Sequence, residues 1–181
     1  MKLGRHLESV EPRSFDPASF VFQPWWFERP DSIHGISHAR RVMIHAHAIA
    51  GAVPLEPVEF AAVVTAVAWH DIGRTHDGWD REHGAKSVAR AKMLGLDRGV
   101  AEEVLERTFF AMELHSTDDA IGAARGATLP RSESLLRVLW VLKDADGLDR
   151  VRIDNLDPAQ LRFAVSRERV DTAWALLRDL P

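Results

Sequence analysis

The chain of 181 residues contains no cysteine. Disulfides, thiolate metal ligands and a cysteine nucleophile are therefore excluded, and any metal ion must be held by nitrogen and oxygen atoms. The absence fits a reducing compartment, and we expect the protein in the cytoplasm. A dense block of lysine and arginine is missing too, and the formal net charge is −4. Duplex nucleic acid and a membrane surface are therefore poor candidates as partners.

Long apolar segments are also missing. The start of the chain, Met1 to His6, lacks the apolar core of a signal peptide. No segment approaches the roughly 20 uncharged apolar residues that a membrane-spanning helix needs. We therefore expect a soluble, unprocessed protein. Its 181 residues, 46% of them hydrophobic, are enough for one domain with a sizeable core but not comfortably for two.

Apolar residues recur at helical spacing from Ser37 onward, and no segment alternates with the period of a strand. This pattern predicts an all-α fold, a compact bundle of about six helices. Pro54 and Pro57 separate the first two helices, and Gly73 is expected to leave the second one in a left-handed turn. The predicted helices cover residues 36–52, 57–72, 81–95, 98–116, 132–149 and 158–179, and a small-residue loop is predicted at 122–130.

The first 32 residues differ from the rest of the chain because four prolines interrupt any helix there, while six phenylalanine and tryptophan side chains need burial. We predict an irregular, aromatic-rich arm over residues 1–32, packed on a domain of residues 33–181. The aromatic side chains could staple a small helical core. Alternatively, the clustering of Trp25 and Trp26 favours a lid or a dimer contact, which leaves a homodimer open.

Three imidazoles and two carboxylates stand out in the helical part: His38, His70, Asp71, His115 and Asp146. Side chains of this kind are costly to bury unless something pairs them, so a shared metal ion explains their company. Each also has an ordinary interpretation. His38 alone would more often be a packing histidine, and His115 could simply cap its helix.

The positions of these residues support the metal interpretation. His38 lies at the edge of the apolar arc of the first helix, and His70 and Asp71 end a segment that is apolar all round at 60–69. Periodicity selects Asp146 rather than Asp144, because Asp146 continues the apolar stripe of its helix.

Asp149 follows Asp146 after nearly one helical turn. It is expected to lie behind the ligands, where it would orient a histidine through the second ring nitrogen.

In this order the residues resemble the HD-domain metal-dependent phosphohydrolase superfamily, whose pattern is a histidine, a His-Asp pair, a histidine helix and an aspartate. The local sequences are similar as well, and the resemblance covers about residues 33–150. The matching segments are His34 to Val42, His70-Asp71-Ile72-Gly73 and Asp144 to Asp149.

The resemblance implies an all-α fold in which His38, His70, Asp71 and Asp146 bind a divalent ion, namely Mn, Ni, Zn, Mg or Fe. The ion would activate water for attack on a phosphoester, with Asp71 and His70 as the catalytic residues. The implied substrate is a small phosphorylated metabolite, with a nucleotide as one option.

Some members of the superfamily hold two ions, and here His83 and His115 match the extra histidines. One ion or two per chain therefore stays open. His83 could equally contact a substrate phosphate from the start of its helix.

Four further residues are candidates for binding the substrate: His34, Arg41, Arg74 and Lys86. Arginine offers a bidentate fork for phosphate oxygens and lysine a point charge. Arg41, Arg74 and Lys86 could also be ordinary exposed charges.

Two branches of the superfamily are disfavoured by the residues after the His-Asp pair. The ppGpp hydrolases carry an acidic pair where this chain has Gly73 and Arg74, and the deoxynucleotide 5′-nucleotidases place a catalytic glutamate near the position of Gly73.

Two other functions stay open. One is a di-iron oxygenase, because some relatives with the extra histidines have a similar arrangement of residues and cleave bonds with O₂. A regulatory module that keeps the fold and the metal without turnover is the third hypothesis.

Overall fold

The computed structural model describes residues 14–180, which contain eight α-helices and no β-strand. The prediction of an all-α fold is confirmed. None of these helices combines the length and the apolar character needed to cross a bilayer. The helices are α1 (Ile36–Ala52), α2 (Pro57–Trp69), α3 (His83–Met93), α4 (Glu102–Leu114), α5 (Asp119–Ala127), α6 (Ser132–Leu148), α7 (Ala164–Arg167) and α8 (Val170–Asp179).

Helix α2 forms the centre of the fold and packs against α1, α4 and α6. Its side chains from Phe60 to Trp69 are all buried, as expected for a helix that is apolar all round. A capping box starts it: Glu56 and Glu59 exchange hydrogen bonds with each other's backbone, and Pro57 occupies the first turn. Three surrounding helices thus fix the direction of α2 and the place where it ends.

The predicted loop at 122–130 is wrong for most of its length, because residues Asp119–Ala127 form α5. Small residues serve here for close packing. A β-carbon on Gly122 would come within 2.9 Å of the Leu139 side chain, and one on Gly126 within 2.8 Å of the Leu136 side chain. Both glycines let α5 lie directly against α6.

The single C-terminal helix predicted at 158–179 is also wrong. Asp157 and Pro158 start only a 3₁₀ turn, Pro158–Gln160, and the short α7 and the longer α8 follow. The break coincides with a tether. The buried carboxylate of Asp144 accepts hydrogen bonds at 2.9 to 3.0 Å from the backbone N–H groups of Arg162 and Phe163, which are therefore unavailable for a continuous helix.

The described part of the N-terminal arm, residues 14–32, consists of 3₁₀ turns and extended backbone. Phe22, Trp26 and Phe27 are buried in the core, whereas Trp25 is 57% exposed. Residues 1–13 of the predicted arm lie outside the described residues.

Two glycines near the ends of α2 and α3 permit close approach of backbone. A β-carbon on Gly73 would come within 2.6 Å of the backbone at Lys86 and Ser87, and one on Gly84 within 2.2 Å of the Met112 carbonyl oxygen. The predicted left-handed turn at Gly73 is wrong, since the positive-φ glycines in the described residues are Gly95 and Gly99. Gly73 is needed for space, and it lets α3 lie beside the end of α2.

Candidate metal centre

Two helices end at a histidine that caps its own helix. His70 follows α2, and its Nδ1 donates to the Val67 carbonyl oxygen at 2.9 Å. His115 follows α4, and its Nδ1 donates to the Met112 carbonyl oxygen at 2.6 Å. The last carbonyls of a helix lack partners within the helix, so each ring satisfies one of them. Because a carbonyl can only accept, both rings carry their proton on Nδ1 and have the lone pair on Nε2.

Two more histidines have Nδ1 within hydrogen-bond distance of an oxygen acceptor. Nδ1 of His83 lies 2.5 Å from the Asp80 carbonyl oxygen, and Nδ1 of His38 lies 2.7 Å from the carboxylate of Asp149. A guanidinium nitrogen of Arg74 is also near the His83 ring, at 2.9 Å from the same Nδ1. The carbonyl can only accept and favours a proton on Nδ1 of His83, whereas the guanidinium can only donate and favours a lone pair there. The Asp149 contact has the geometry expected of a carboxylate that orients a ligand from behind.

The four Nε2 atoms face each other in pairs. Those of His38 and His70 are 3.1 Å apart, and those of His83 and His115 are 2.8 Å apart. With both Nδ1 positions protonated, two neutral rings would point lone pairs at each other. A proton or a metal ion between the rings removes this repulsion.

The carboxylate of Asp71 lies between the two imidazole pairs. Its Oδ2 is 3.5 Å from Nε2 of His38, and its Oδ1 is 3.3 Å from Nε2 of His83 and 3.7 Å from that of His115. Oδ1 is buried and accepts no hydrogen bond from the described residues. A buried carboxylate oxygen without a donor is costly, and a cation next to it would compensate the charge.

Asp146, near the end of α6, completes the group, with Oδ1 3.3 Å from Nε2 of His38. Metal–nitrogen and metal–oxygen bonds are about 2.0–2.2 Å long, which places neighbouring ligand atoms roughly 3.0–3.6 Å apart. The observed separations fall near this range, so the buried histidines and aspartates could hold a metal ion. We call the residues that meet here the six-residue cluster: His38, His70, Asp71, His83, His115 and Asp146.

The shifted pKa values of His70, His83 and Asp71 favour the forms that bind a metal ion at neutral pH, whereas that of His38 favours the protonated ring. Burial lowers the pKa of His70 to about 3 and that of His83 to about 4. Burial alone would raise the pKa of Asp71, but the surrounding imidazoles, His70 first among them, hold it well below its usual range. For His38, burial and the charge of Arg152 act to lower the pKa, but hydrogen bonds with Asp146 and Asp149 outweigh them and raise it.

The cluster faces a cavity of about 870 Å³. Asp71, His83, His115 and Asp146 line one side of it. Arg152, which the sequence interpretation missed, also lines it, with a side chain that is only 7% exposed. It follows Asp146 by a few residues and lies in the 3₁₀ turn Asp149–Ile153, and the sequence around it carries no pattern that would have singled it out.

Two of the predicted substrate residues lie at this cavity. His34 is 3.1 Å from Oδ2 of Asp71 and 3.0 Å from a guanidinium nitrogen of Arg152. Arg74 is buried and donates to the Gly78 carbonyl oxygen at 2.8 Å, beside its contact with His83.

The other two are not among the cavity-lining residues. Arg41 is buried behind the cluster, where it donates to Asp149 at 2.6 Å and to the Leu180 carbonyl oxygen at 2.6 Å. Lys86 pairs with Asp80 at 2.9 Å on the surface. We therefore replace the predicted phosphate contact of Arg41 with a positioning contact to Asp149.

We compared the chain with protein-family models, curated proteins and solved structures, and none of them matches it. Any functional interpretation consequently depends on the residues and geometry described above.

Proposed function

We propose that this protein is a metal-dependent phosphohydrolase of the HD-domain type, acting on a small phosphorylated metabolite in the cytoplasm. The observation that carries the proposal is the carboxylate of Asp71, set between two facing pairs of imidazoles at the side of a cavity. The order of these residues along the chain is that of the superfamily named above, and distant segments bring them together.

The ligand set divides naturally into two halves that share Asp71. His38, His70, Asp146 and Oδ2 of Asp71 would hold one divalent ion. The second pair of imidazoles and Oδ1 of Asp71 would hold another. When bound, such an ion lowers the pKa of a coordinated water from about 15.7 towards about 7 and neutralises charge that develops on a phosphoryl group.

Two arginine side chains at the cavity, those of Arg74 and Arg152, would position the phosphate. Arg152 lies next to His34, and Arg74 lies next to His83, so a guanidinium is present on either side of the cluster. Arginine can grip two phosphate oxygens at once. His34 lines the same cavity at 3.1 Å from Asp71, and from there its imidazole could hold or donate a proton at a phosphoester oxygen.

The test is an assay of the purified chain against a panel of phosphomonoesters and phosphodiesters, with and without a chelator. We expect hydrolysis that depends on an added divalent ion and falls by at least about a hundredfold in Asp71→Ala. Asp77→Ala is the control, because Asp77 lines the same cavity but pairs with Arg29 rather than with the cluster. Full activity in the chelator, or equal loss in both variants, contradicts the proposal.

A di-iron oxygenase is the second candidate, because the carboxylate of Asp71 lies between two pairs of imidazoles, and these residues would suit two iron ions as well as two other divalent ions. His83 and His115 add nitrogen ligands on the far side of Asp71, and iron accepts imidazole and carboxylate together. Purification with iron, together with consumption of O₂ in the presence of substrate, would favour this function over hydrolysis. A protein that hydrolyses phosphoesters with Mn or Mg and consumes no O₂ excludes it.

A further inference from the structure

One large aromatic side chain at the cavity is left in solvent. Trp79 is 83% exposed, the highest fraction among the exposed large hydrophobic side chains of the described residues, and it lines the cavity beside the six-residue cluster. Burying a tryptophan removes 150–250 Å² of surface from water, roughly, so leaving one exposed forgoes a large favourable contribution. Single exposed apolar side chains are common, but this indole lines the cavity that the cluster faces, where its flat apolar face is available to a ligand.

The loop that carries Trp79 is fastened to the cluster. The neighbouring Asp80 holds Nδ1 of His83 through its carbonyl oxygen at 2.5 Å, and on the other side Gly78 accepts a hydrogen bond from Arg74 at 2.8 Å. The backbone on both sides of the indole is thus tied to residues that contact the cluster. A ring resting on Trp79 would keep a defined position relative to Asp71.

The guanidinium of Arg81 lies 5.4 Å from the centre of the Trp79 ring. This cation–π contact orients the indole while most of its surface stays exposed. The amide side chains of Asn155 and Gln160 line the same cavity and offer hydrogen-bond donors and acceptors. A cavity of about 870 Å³ has room for a ring and a linker in addition to a phosphate.

We propose that Trp79 is a stacking surface for a planar aromatic ring of the substrate. This inference rests on the proposed function and narrows the substrate class to phosphate esters that carry such a ring, either a nucleobase or another aryl group. The phosphate would lie at the cluster and the ring on the indole.

Binding is measured by calorimetry with the full chain in the presence of a chelator, so that no probe is hydrolysed, using AMP, phenyl phosphate and ribose 5-phosphate as probes. We expect the wild type to bind AMP or phenyl phosphate at least about tenfold more tightly than ribose 5-phosphate, because stacking on an aromatic side chain adds about 1–3 kcal/mol, and tenfold corresponds to about 1.4 kcal/mol. Trp79→Ala should remove this advantage and leave the affinity for ribose 5-phosphate unchanged. Trp79→Phe should retain most of it.

Trp25→Ala is the matched control, because Trp25 is also exposed but does not line the cavity, and we expect no change in any affinity. A nucleobase as the natural ring predicts that Trp79→Ala weakens AMP more than phenyl phosphate, and a general aryl site predicts equal weakening. The proposal is overturned if the wild type binds all three probes equally, if Trp79→Ala weakens ribose 5-phosphate as much as the aromatic probes, or if it alters only the oligomeric state.

These readouts need no turnover. A protein that binds the aromatic probes through Trp79 but hydrolyses no phosphoester refutes the proposed function and leaves the stacking surface standing. Metal-dependent hydrolysis with no preference for rings does the opposite.

Discussion

Nε2 of His83 faces Nε2 of His115 across 2.8 Å, and Nδ1 of each ring lies at a backbone carbonyl oxygen. Burial lowers the pKa of His83 to about 4, so this ring is uncharged at neutral pH. The pair places two ring nitrogens beside Oδ1 of Asp71, which accepts no hydrogen bond from the described residues. This half of the cluster suits a cation as well as the half around His38 does.

The metal content of the protein should reflect these two halves. We expect about two ions per chain at saturation in the wild type and about one in His115→Ala, since that variant removes a ligand from only one half. Asp71→Ala, which removes the shared carboxylate, should weaken both. Elemental analysis after equilibrium dialysis measures this, with His76→Ala as the histidine control, because His76 lies in an exposed loop. An unchanged stoichiometry in His115→Ala would contradict the assignment of the second half.

Binding of the metal should release protons in a pH-dependent way. The pKa of His38 is raised above its ordinary value of 6.5, so at pH 6.5 most of the apo protein carries a proton on this ring, and that proton must leave when Nε2 becomes a ligand. His70 and His83, with pKa values of about 3 and about 4, contribute none. We therefore expect about one proton released near pH 6.5, and a metal affinity that rises with pH through the pKa of His38.

The stability of the apo protein changes with pH in the opposite direction to the metal affinity. A raised folded-state pKa stabilises the fold below the unfolded value of 6.5, and this contribution is lost as the pH rises through the folded-state pKa.

Titration calorimetry in buffers of different ionisation enthalpy measures the proton release on metal binding. Release that is the same in His38→Gln as in the wild type would show that the proton comes from another group.

Gly84→Ala should destabilise the protein and loosen the second half of the cluster. The added β-carbon would lie 2.2 Å from the Met112 carbonyl oxygen, so α3 must move away from α4, and His83 would move with it. Overpacking of this kind costs about 1–3 kcal/mol of unfolding free energy. Gly51→Ala is the control, because its β-carbon meets nothing within 4 Å and alanine suits the last turn of α1.

Thermal or urea unfolding of both variants tests this prediction, together with metal affinity. We expect Gly51→Ala to be neutral or slightly stabilising, with wild-type affinity. Equal free energies of unfolding and equal metal affinities in the two variants would contradict the prediction, because α3 and α4 would then separate without cost.

Asp144→Asn should release the segment that follows the 3₁₀ turn at Pro158–Gln160. The carboxylate accepts from the backbone of Arg162 and Phe163 and from the Arg162 guanidinium at 2.8 Å, and an amide can replace only some of these contacts. Arg162 keeps its ion pair with Asp119, so the expected cost is that of lost hydrogen bonds to a charged group, about 1.5–3 kcal/mol. Asp154→Asn is the control, because Asp154 is exposed in the left-handed region, which asparagine tolerates.

The expected result is a lowered free energy of unfolding in Asp144→Asn alone, with faster hydrogen exchange at residues 162–163. Wild-type exchange at these two amides would show that something other than the carboxylate holds the segment.

The sequence predicted the helices that carry a continuous apolar stripe. For α1 the prediction of 36–52 matches the observed bounds, and for α6 the predicted end differs by one residue. Period and proline spacing suffice there because both helices bury one side along their whole length. The prediction failed for α5, whose glycines resemble a loop, since their role is visible only against the neighbouring α6.

For the candidate site, residue type and order predicted the members, but not how they pair. The placement of the two imidazole pairs around Asp71 depends on the distances between the end of α2, the start of α3 and the end of α4. No local pattern in the sequence encodes these distances. Asp144 shows the converse. Periodicity placed it with exposed residues, yet it is fully buried, because its partners come from a distant segment that periodicity does not include.

The contact of His70 with Val67 and that of His115 with Met112 each span three residues. The ends of their own helices therefore orient these rings, in addition to the contacts of His70 with His38 and of His115 with His83. An arriving ion would find them preorganised, and little rotational entropy would be lost in capturing it. Exchange of one divalent metal for another should accordingly leave the two side chains where they are, so that ion size, rather than ring rearrangement, governs selectivity.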